Sequence, residues 1–272
     1  MESGAQRGEG GMTARLTGAA SQSRRAPRCR LGKPPGRVSC PDDRAPKAAR
    51  SKRPSMLTFA FDTGASEGLR ALCLGAHADD IEIGCGGTML RLIQEGIITS
   101  VRWVVLSATG ERADEAETGA ARFLDGVSDR TVILERFRDG FLPYSGAALK
   151  EFFEGLRSGS TPDLIFTPRR DDLHQDHRLV GELTWNTFRD HQILEYQIPK
   201  YEGDLGIPNL YVRIPEWAAH RKAELIVSTY RTQADRTWFS ETMFLSTMRL
   251  RAIEARAASG FAEAFIARKI VF

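Results

Sequence analysis

From residue 69 onward the chain alternates short apolar runs with longer amphipathic ones, and no other feature narrows its possible folds as much. Residues 69–75, 100–106, 131–134 and 163–167 read as strands of four to seven residues. Between and after them, residues 87–95, 115–124, 147–156 and 178–189 carry the spacing of helices with one apolar face. Strands that alternate with helices in this way pair in parallel, because each crossover helix returns the chain to the same end of the sheet. The expected fold is therefore α/β, a Rossmann-like, mostly parallel sheet flanked by helices. After residue 190 the pattern loosens: strands are predicted over 194–198 and 209–214, helices over 215–230 and 244–258, and an apolar closing segment over 261–272 that packs back onto the body.

The chain has 272 residues, enough for one sizeable core and hardly two. Residues 1–55 hold 13 Lys and Arg against 4 Asp and Glu, with no periodic apolar pattern, and a segment of that kind cannot offset its own ordering entropy. The reading is a disordered basic tail over 1–55 and a single domain over 56–272. Met56 opens a conventional start just before the first apolar run, so the tail also reads as an upstream extension of the reading frame; a nucleic-acid-binding tail and an Arg-rich targeting peptide are the rival readings. The remaining residues hold 25 basic against 31 acidic side chains, so the basic pI describes the tail, and no nucleic-acid face is expected on the folded part. No apolar run is long enough to span a bilayer, and no apolar block follows the N-terminal charges as in a secretory signal, so the expected location is cytoplasmic. The four cysteines form no CxxC pair and no regular framework, which predicts free thiols.

Each predicted strand of the first half is followed by residues suited to chemistry. His77, Asp79 and Asp80 follow the first, Arg112 the second, Asp139 the third, and His174, Asp176 and His177 the fourth. In open parallel sheets the carboxyl ends of strands form the ligand-binding edge, so four segments far apart in sequence are expected to converge there. Three of the five histidines fall in the first and last of these segments, beside carboxylates, and imidazole with carboxylate is the ligand set of open catalytic zinc sites. The run Gly84-Cys85-Gly86-Gly87 reads as a tight turn; it lacks the GxGxxG order, which argues against a dinucleotide site.

The run from Gly75 to Thr88, GAHADDIEIGCGGT, resembles the AHPDDxExGxGG signature of the LmbE-like, or PIG-L, deacetylases, and the run DLHQDH at 172–177 resembles that family's DxHxDH segment. Weaker echoes are Gly110-Glu111-Arg112, the Asp139 segment, and the segments at 208–211, 230–233 and 261–265. The resemblance implies a zinc-dependent hydrolase that removes an N-acetyl group from an N-acetylglucosamine-type sugar or sugar conjugate. It implies His77, Asp80 and His177 as ligands of one zinc per chain, replaceable by other divalent ions, and Asp79 as the general base. His174 would stabilise the oxyanion, with Asp176 holding or charging its ring, and an N-cap role for Asp176 can coexist with that one. Arg112 and Asp139 match positions that bind sugar hydroxyls, and Glu82 is expected to secure the metal loop through backbone amides. Ala78 stands where the family usually has proline, which removes a φ restraint from the loop without altering the ligands. Amidases acting on thiol-sugar conjugates, and a non-catalytic metal-binding member of the family, are the competing readings. The expected partner is a small N-acetylated sugar or glycoconjugate, with homo-oligomerisation left open.

Overall fold

The strand β1 (Leu69–His77) reads Leu-Arg-Ala-Leu-Cys-Leu-Gly-Ala-His, and both of its faces are apolar. Leu72, Leu74 and Ala76 enter one buried cluster, while Ala71 and Cys73 enter another. A strand buried on both faces belongs at the centre of a sheet covered on both sides. The computed structural model, which describes residues 58, 60, 68–159 and 161–271, places it there. The predicted tail over residues 1–55 lies outside the described residues.

β1 pairs in parallel with β2 (Ile98–Ser107) on one side and with β4 (Leu164–Pro168) on the other. β3 (Asp129–Leu134) extends the sheet beyond β2, and β5 (Gln192–Tyr196) extends it beyond β4, again in parallel. The closing apolar segment packs back as predicted, but as a strand: β7 (Ala262–Ile266) runs antiparallel to β5 and to β6 (Leu210–Arg213). The order is β3-β2-β1-β4-β5-β7-β6. Strand order therefore reverses at β1, and the carboxyl ends of β1 and β4 flank the crevice that such a reversal leaves open.

On one face of the sheet lie α3 (Gly146–Gly159) and α4 (Gln175–Thr187), which contribute Leu149, Phe153, Leu156, Val180 and Leu183 to the cluster around Leu72 and Leu74. The other face is covered by α1 (Asp80–Gln94), α2 (Glu111–Phe123) and α5 (Glu216–Thr229). α6 (Glu241–Ala255) packs beside α5 and β7, and Phe244 on its inner side joins the same core. Among the described residues no helix is long and apolar enough to cross a membrane.

One local prediction fails instructively. The run Gly84-Cys85-Gly86-Gly87 is not a turn; it lies inside α1, which begins at Asp80. Glycine in a helix costs roughly 1 kcal/mol relative to alanine, and here the absent side chains let α1 press on its neighbours. A Cβ on Gly84 would stand 2.2 Å from the Tyr196 ring, and one on Gly86 would stand 2.6 Å from the ring of Phe123. α1 is also crossed by a buried ion pair: the amides of Gly87 and Thr88 donate to Glu263 of β7 at 2.8 and 2.7 Å. Lys222 of α5 donates to the same carboxylate at 2.6 Å and to the Ile83 carbonyl at 2.7 Å. Cys73 and Cys85 are both free and buried, as the sequence predicts.

Candidate metal and catalytic site

Each predicted site residue sits where a parallel strand ends or the following helix begins. His77 closes β1, Asp79 is the N-cap of α1 and Asp80 its first residue. Arg112 lies in the first turn of α2, Asp139 in the loop after β3, and Asp176 and His177 in the first turn of α4, whose N-cap is His174. Three helix N-termini therefore converge, and their dipoles favour the carboxylates gathered among them. All eight predicted residues belong to this one constellation.

The carboxylate of Asp80 is fixed first, because its Oδ2 accepts the amides of Ala76 and His77, each at 2.9 Å. Asp80 thus performs the loop-securing task expected of Glu82. Glu82 is instead turned into the interior, where the Tyr230 hydroxyl donates to it. His77 Nδ1 stands 3.2 Å from His177 Nε2, and Asp80 lies 3.6 Å from the former through Oδ2 and 3.3 Å from the latter through Oδ1. Ligands held at about 2.0 to 2.2 Å around a tetrahedral ion are roughly 3.3 to 3.6 Å apart. The three side chains therefore approach one another pairwise at such separations, Asp80 through a different oxygen toward each ring, and their donor types suit a divalent cation. The rings of His77, His174 and His177 also bring nitrogens within 4.8 Å of one another, as do His77, Asp139 and Asp176 with their own ligand atoms.

The other nitrogen of His77 fixes the ring. Nε2 lies 3.2 Å from Asp176 Oδ2 and 3.2 Å from Asp139 Oδ1, so its N–H is directed at carboxylates and Nδ1 faces the ligand cluster. Burial alone would lower the His77 pKa, but the carboxylates of Asp80, Asp139 and Asp176 outweigh it and hold the imidazole well above its ordinary value. His177 behaves alike: burial lowers it, Asp80 and Asp172 overcome that, and it is pushed up to about 9. Negative charge thus flanks both rings, from Asp80 on the side where they face each other and from Asp139, Asp176 and Asp172 on their far sides.

Asp176 departs from the N-cap reading, and it acts on the His174 ring through its charge, which favours the protonated form, and not through a hydrogen bond. It is not the N-cap of α4, since that position is His174. Its Oδ2 accepts the Gly140 amide at 2.8 Å and its Oδ1 the Leu142 amide at 3.2 Å, and no hydrogen bond joins it to the ring of His174 among the described residues. Asp176 therefore ties the Asp139 loop to the histidine cluster. His174 stacks near both other histidines, with ring centroids 5.0 Å from His77 and 4.5 Å from His177. Burial, and then repulsion from His177 and His77, lowers its pKa, and its Nδ1 has no partner. Arg112 donates to Asp79 at 3.0 Å and lies 3.8 Å from Asp139, so it links two residues for which the sequence suggested separate tasks. Exposed Phe141, Tyr144 and Leu173 follow directly on these loops.

Residues 72–188, which span both histidine motifs and run from β1 through α4, match the family model described as PIG-L, GlcNAc-PI de-N-acetylase. Residues 72–188 are thus similar to PIG-L domains. The chain is similar to the uncharacterized deacetylase YaiS of Escherichia coli K12, at 28% identity over 156 residues, covering 53% of this chain and 82% of that one. The fold is similar to that of N,N'-diacetylchitobiose deacetylase from Pyrococcus horikoshii, with a TM-score of 0.57 and 22% identity over 73% of this chain and 83% of that one. It is equally similar to GalB, the 4-carboxy-2-hydroxymuconate hydratase of Pseudomonas putida KT2440, with a TM-score of 0.57 and 14% identity over 75% and 98% of the two chains. Solved structures that share this fold thus include a deacetylase and a hydratase, so the fold alone does not assign a reaction.

The sequence passed over two groups that the structure brings forward. Asp172, quoted only as part of a motif, touches His177, and Lys200, some thirty residues on, touches Asp172. Asp172 carried a signal in its position within the second motif, whereas Lys200 carried none, because only the path of the β5–β6 connection brings it there.

Proposed function

We propose that this chain is a metal-dependent hydrolase, with zinc the metal, that removes the acetyl group from an N-acetylglucosamine-type sugar or sugar conjugate. The match to the PIG-L family model and the similarity to a deacetylase support a hydrolytic N-deacetylase; the metal, the substrate class and the residue roles are our reading. The observation that carries it is the 3.2 to 3.6 Å spacing of His77, Asp80 and His177 beside a buried, Arg112-bound Asp79. His77 Nδ1, His177 Nε2 and the Asp80 carboxylate would hold the ion. A divalent cation there supplies Lewis acidity toward an amide carbonyl and toward water.

The rest of the chemistry belongs to the chain. Asp79 accepts the proton of the attacking water as oxygen bonds to the acyl carbon, and returns it to the amide nitrogen as the C–N bond breaks, so acetate and a free amine leave. Burial pushes Asp79 above the usual carboxylate range, with Arg112 opposing, which suits a group that must both take and give a proton. His174, with its unpartnered Nδ1 and its place beside the other two rings, serves the oxyanion as it develops. Asp139, whose side chain is 60% exposed, and Arg112 face the substrate and bind sugar hydroxyls.

The test is acetate release from N-acetylglucosamine, N,N'-diacetylchitobiose, a nucleotide-linked N-acetyl sugar and a lipid-linked one. Turnover of at least one of them is expected, with loss on chelation and recovery on adding back zinc. No acetate from any of the four with zinc-loaded protein would remove the sugar deacetylase reading.

A further inference from the structure

We propose that Asp172, braced by Lys200 and Asp204 of the connection between β5 and β6, sets the ring of His177 for metal binding. The inference rests on the reading of His177 as a ligand. It concerns side chains outside the ligand set, and it assigns a task to a segment that otherwise lies far from both motifs.

The two nitrogens of His177 face opposite ways. Nε2 looks toward Asp80 and His77, and Nδ1 stands 3.4 Å from Asp172 Oδ2, an ion-pair separation without the geometry of a hydrogen bond. A ring that gives one nitrogen to a metal is set in tautomer and rotation by what the other nitrogen meets, and the carboxylate that faces Nδ1 of His177 is that of Asp172. Asp172 is itself fully buried, and its Oδ1 accepts the His174 amide at 2.8 Å, so one carboxylate sets the positions of two histidines.

That carboxylate is in turn held from outside the motif. Lys200 Nζ lies 2.9 Å from Asp172 and 2.5 Å from Asp204, and only 11% of its side chain is exposed. Asp204 accepts the Leu173 amide at 2.8 Å and is paired with Arg169 at 2.9 Å, which closes the brace onto the same stretch of chain that carries Asp172. Burying an ammonium is costly unless it is fully paired. A loop needing only attachment is held more cheaply by apolar side chains, whereas a lysine between two carboxylates keeps Asp172 in its place without letting it turn away from His177.

The experiment measures zinc affinity by competition with a chromophoric chelator for the full chain and for Asp172→Asn, Lys200→Met and Lys200→Arg, with thermal unfolding of each metal-free protein as the check on folding. Loss of an outer partner of a metal-binding histidine typically weakens the metal by about 10- to 100-fold, and Asp172→Asn is expected in that range. Lys200→Met is expected near the lower end, at about 10-fold, while Lys200→Arg restores most of the affinity. With zinc saturating, kcat falls in Asp172→Asn and KM for the substrate moves little, a split that loosening of a surface loop does not produce. Affinities within about two-fold of the parent for both folded Asp172→Asn and Lys200→Met overturn the brace, and should Asp172→Asn not fold, Lys200→Met decides alone. A parent chain that takes up no zinc overturns the brace together with the metal reading. The affinity ratios need no turnover, so a failed deacetylase assay leaves them valid and counts only against the proposed activity.

Discussion

Asp79 and Asp80 are adjacent, chemically identical and buried, yet their surroundings push them in opposite directions. Burial raises Asp79, and the Arg112 guanidinium only partly opposes it. Burial would raise Asp80 too, but the His177 and His77 rings outweigh it and hold the carboxyl well below its usual range. Paired carboxyls separated in this way are suited to separate work, one to carry a proton and the other to stay ionised. Asp79→Asn is therefore expected to lower kcat by about 10² to 10⁴ while zinc content stays near the parent's, since an amide matches the carboxylate in shape but cannot accept the proton. Asp80→Asn is expected to lose zinc and activity together, because it weakens a ligand that two backbone amides have already oriented. Acetate release and metal analysis on the same preparations check both, and near-normal turnover in zinc-loaded Asp79→Asn would transfer the base to another group.

At the scale of elements, α1 shows both how far the sequence can be read and where reading stops. Its later half was visible from apolar spacing, as were the four parallel strands and the residues at their ends, because both kinds of pattern are local. Its first two turns were not, since Gly84, Gly86 and Gly87 argue for a turn on propensity, and only contact with Tyr196, Phe123 and Glu263 shows why a helix needs them. The pair of Lys222 and Glu263 was equally hidden: its members lie 41 residues apart, on α5 and β7, and meet only because β7 inserts antiparallel beside β5. The same holds for Lys200 and Asp172, and for Asp176, whose amide partners at Gly140 and Leu142 belong to another loop. What was legible in the site was the identity of the groups and the sheet edge they share; which carboxylate faces which ring is a tertiary fact.

The Lys222 and Glu263 pair also yields a prediction for α1. Glu263→Ala removes the acceptor of the Gly87 and Thr88 amides and leaves Lys222 buried with only the Ile83 carbonyl, while Lys222→Met leaves Glu263 its two amide donors. Removing one member of a buried pair typically costs about 3 to 5 kcal/mol. Glu263→Ala is expected in that range and Lys222→Met below it. Urea unfolding of the two variants checks the order, and equal costs would show that the amide contacts contribute little.

For the whole molecule the remaining question is how much of the chain the chemistry requires. Residues 1–55 carry 13 basic side chains against 4 acidic ones, whereas the rest is mildly acidic. The family match begins at residue 72, the first strand at Leu69, and every residue of the site and of its brace lies between His77 and Asp204. A chain beginning at Met56 is therefore expected to keep the zinc affinity, kcat, KM and melting temperature of the full-length protein. Its charge changes sign, so weak binding of the full-length protein to a polyanion such as DNA, which salt suppresses, should disappear with the tail while turnover is unaltered. Side-by-side measurement of acetate release, thermal unfolding and DNA retention separates the two properties. A fall in kcat or in melting temperature on removing residues 1–55 would show that the tail takes part in the catalytic domain, and unaltered DNA retention would move the polyanion contact onto the folded body, where the charge balance argues against it.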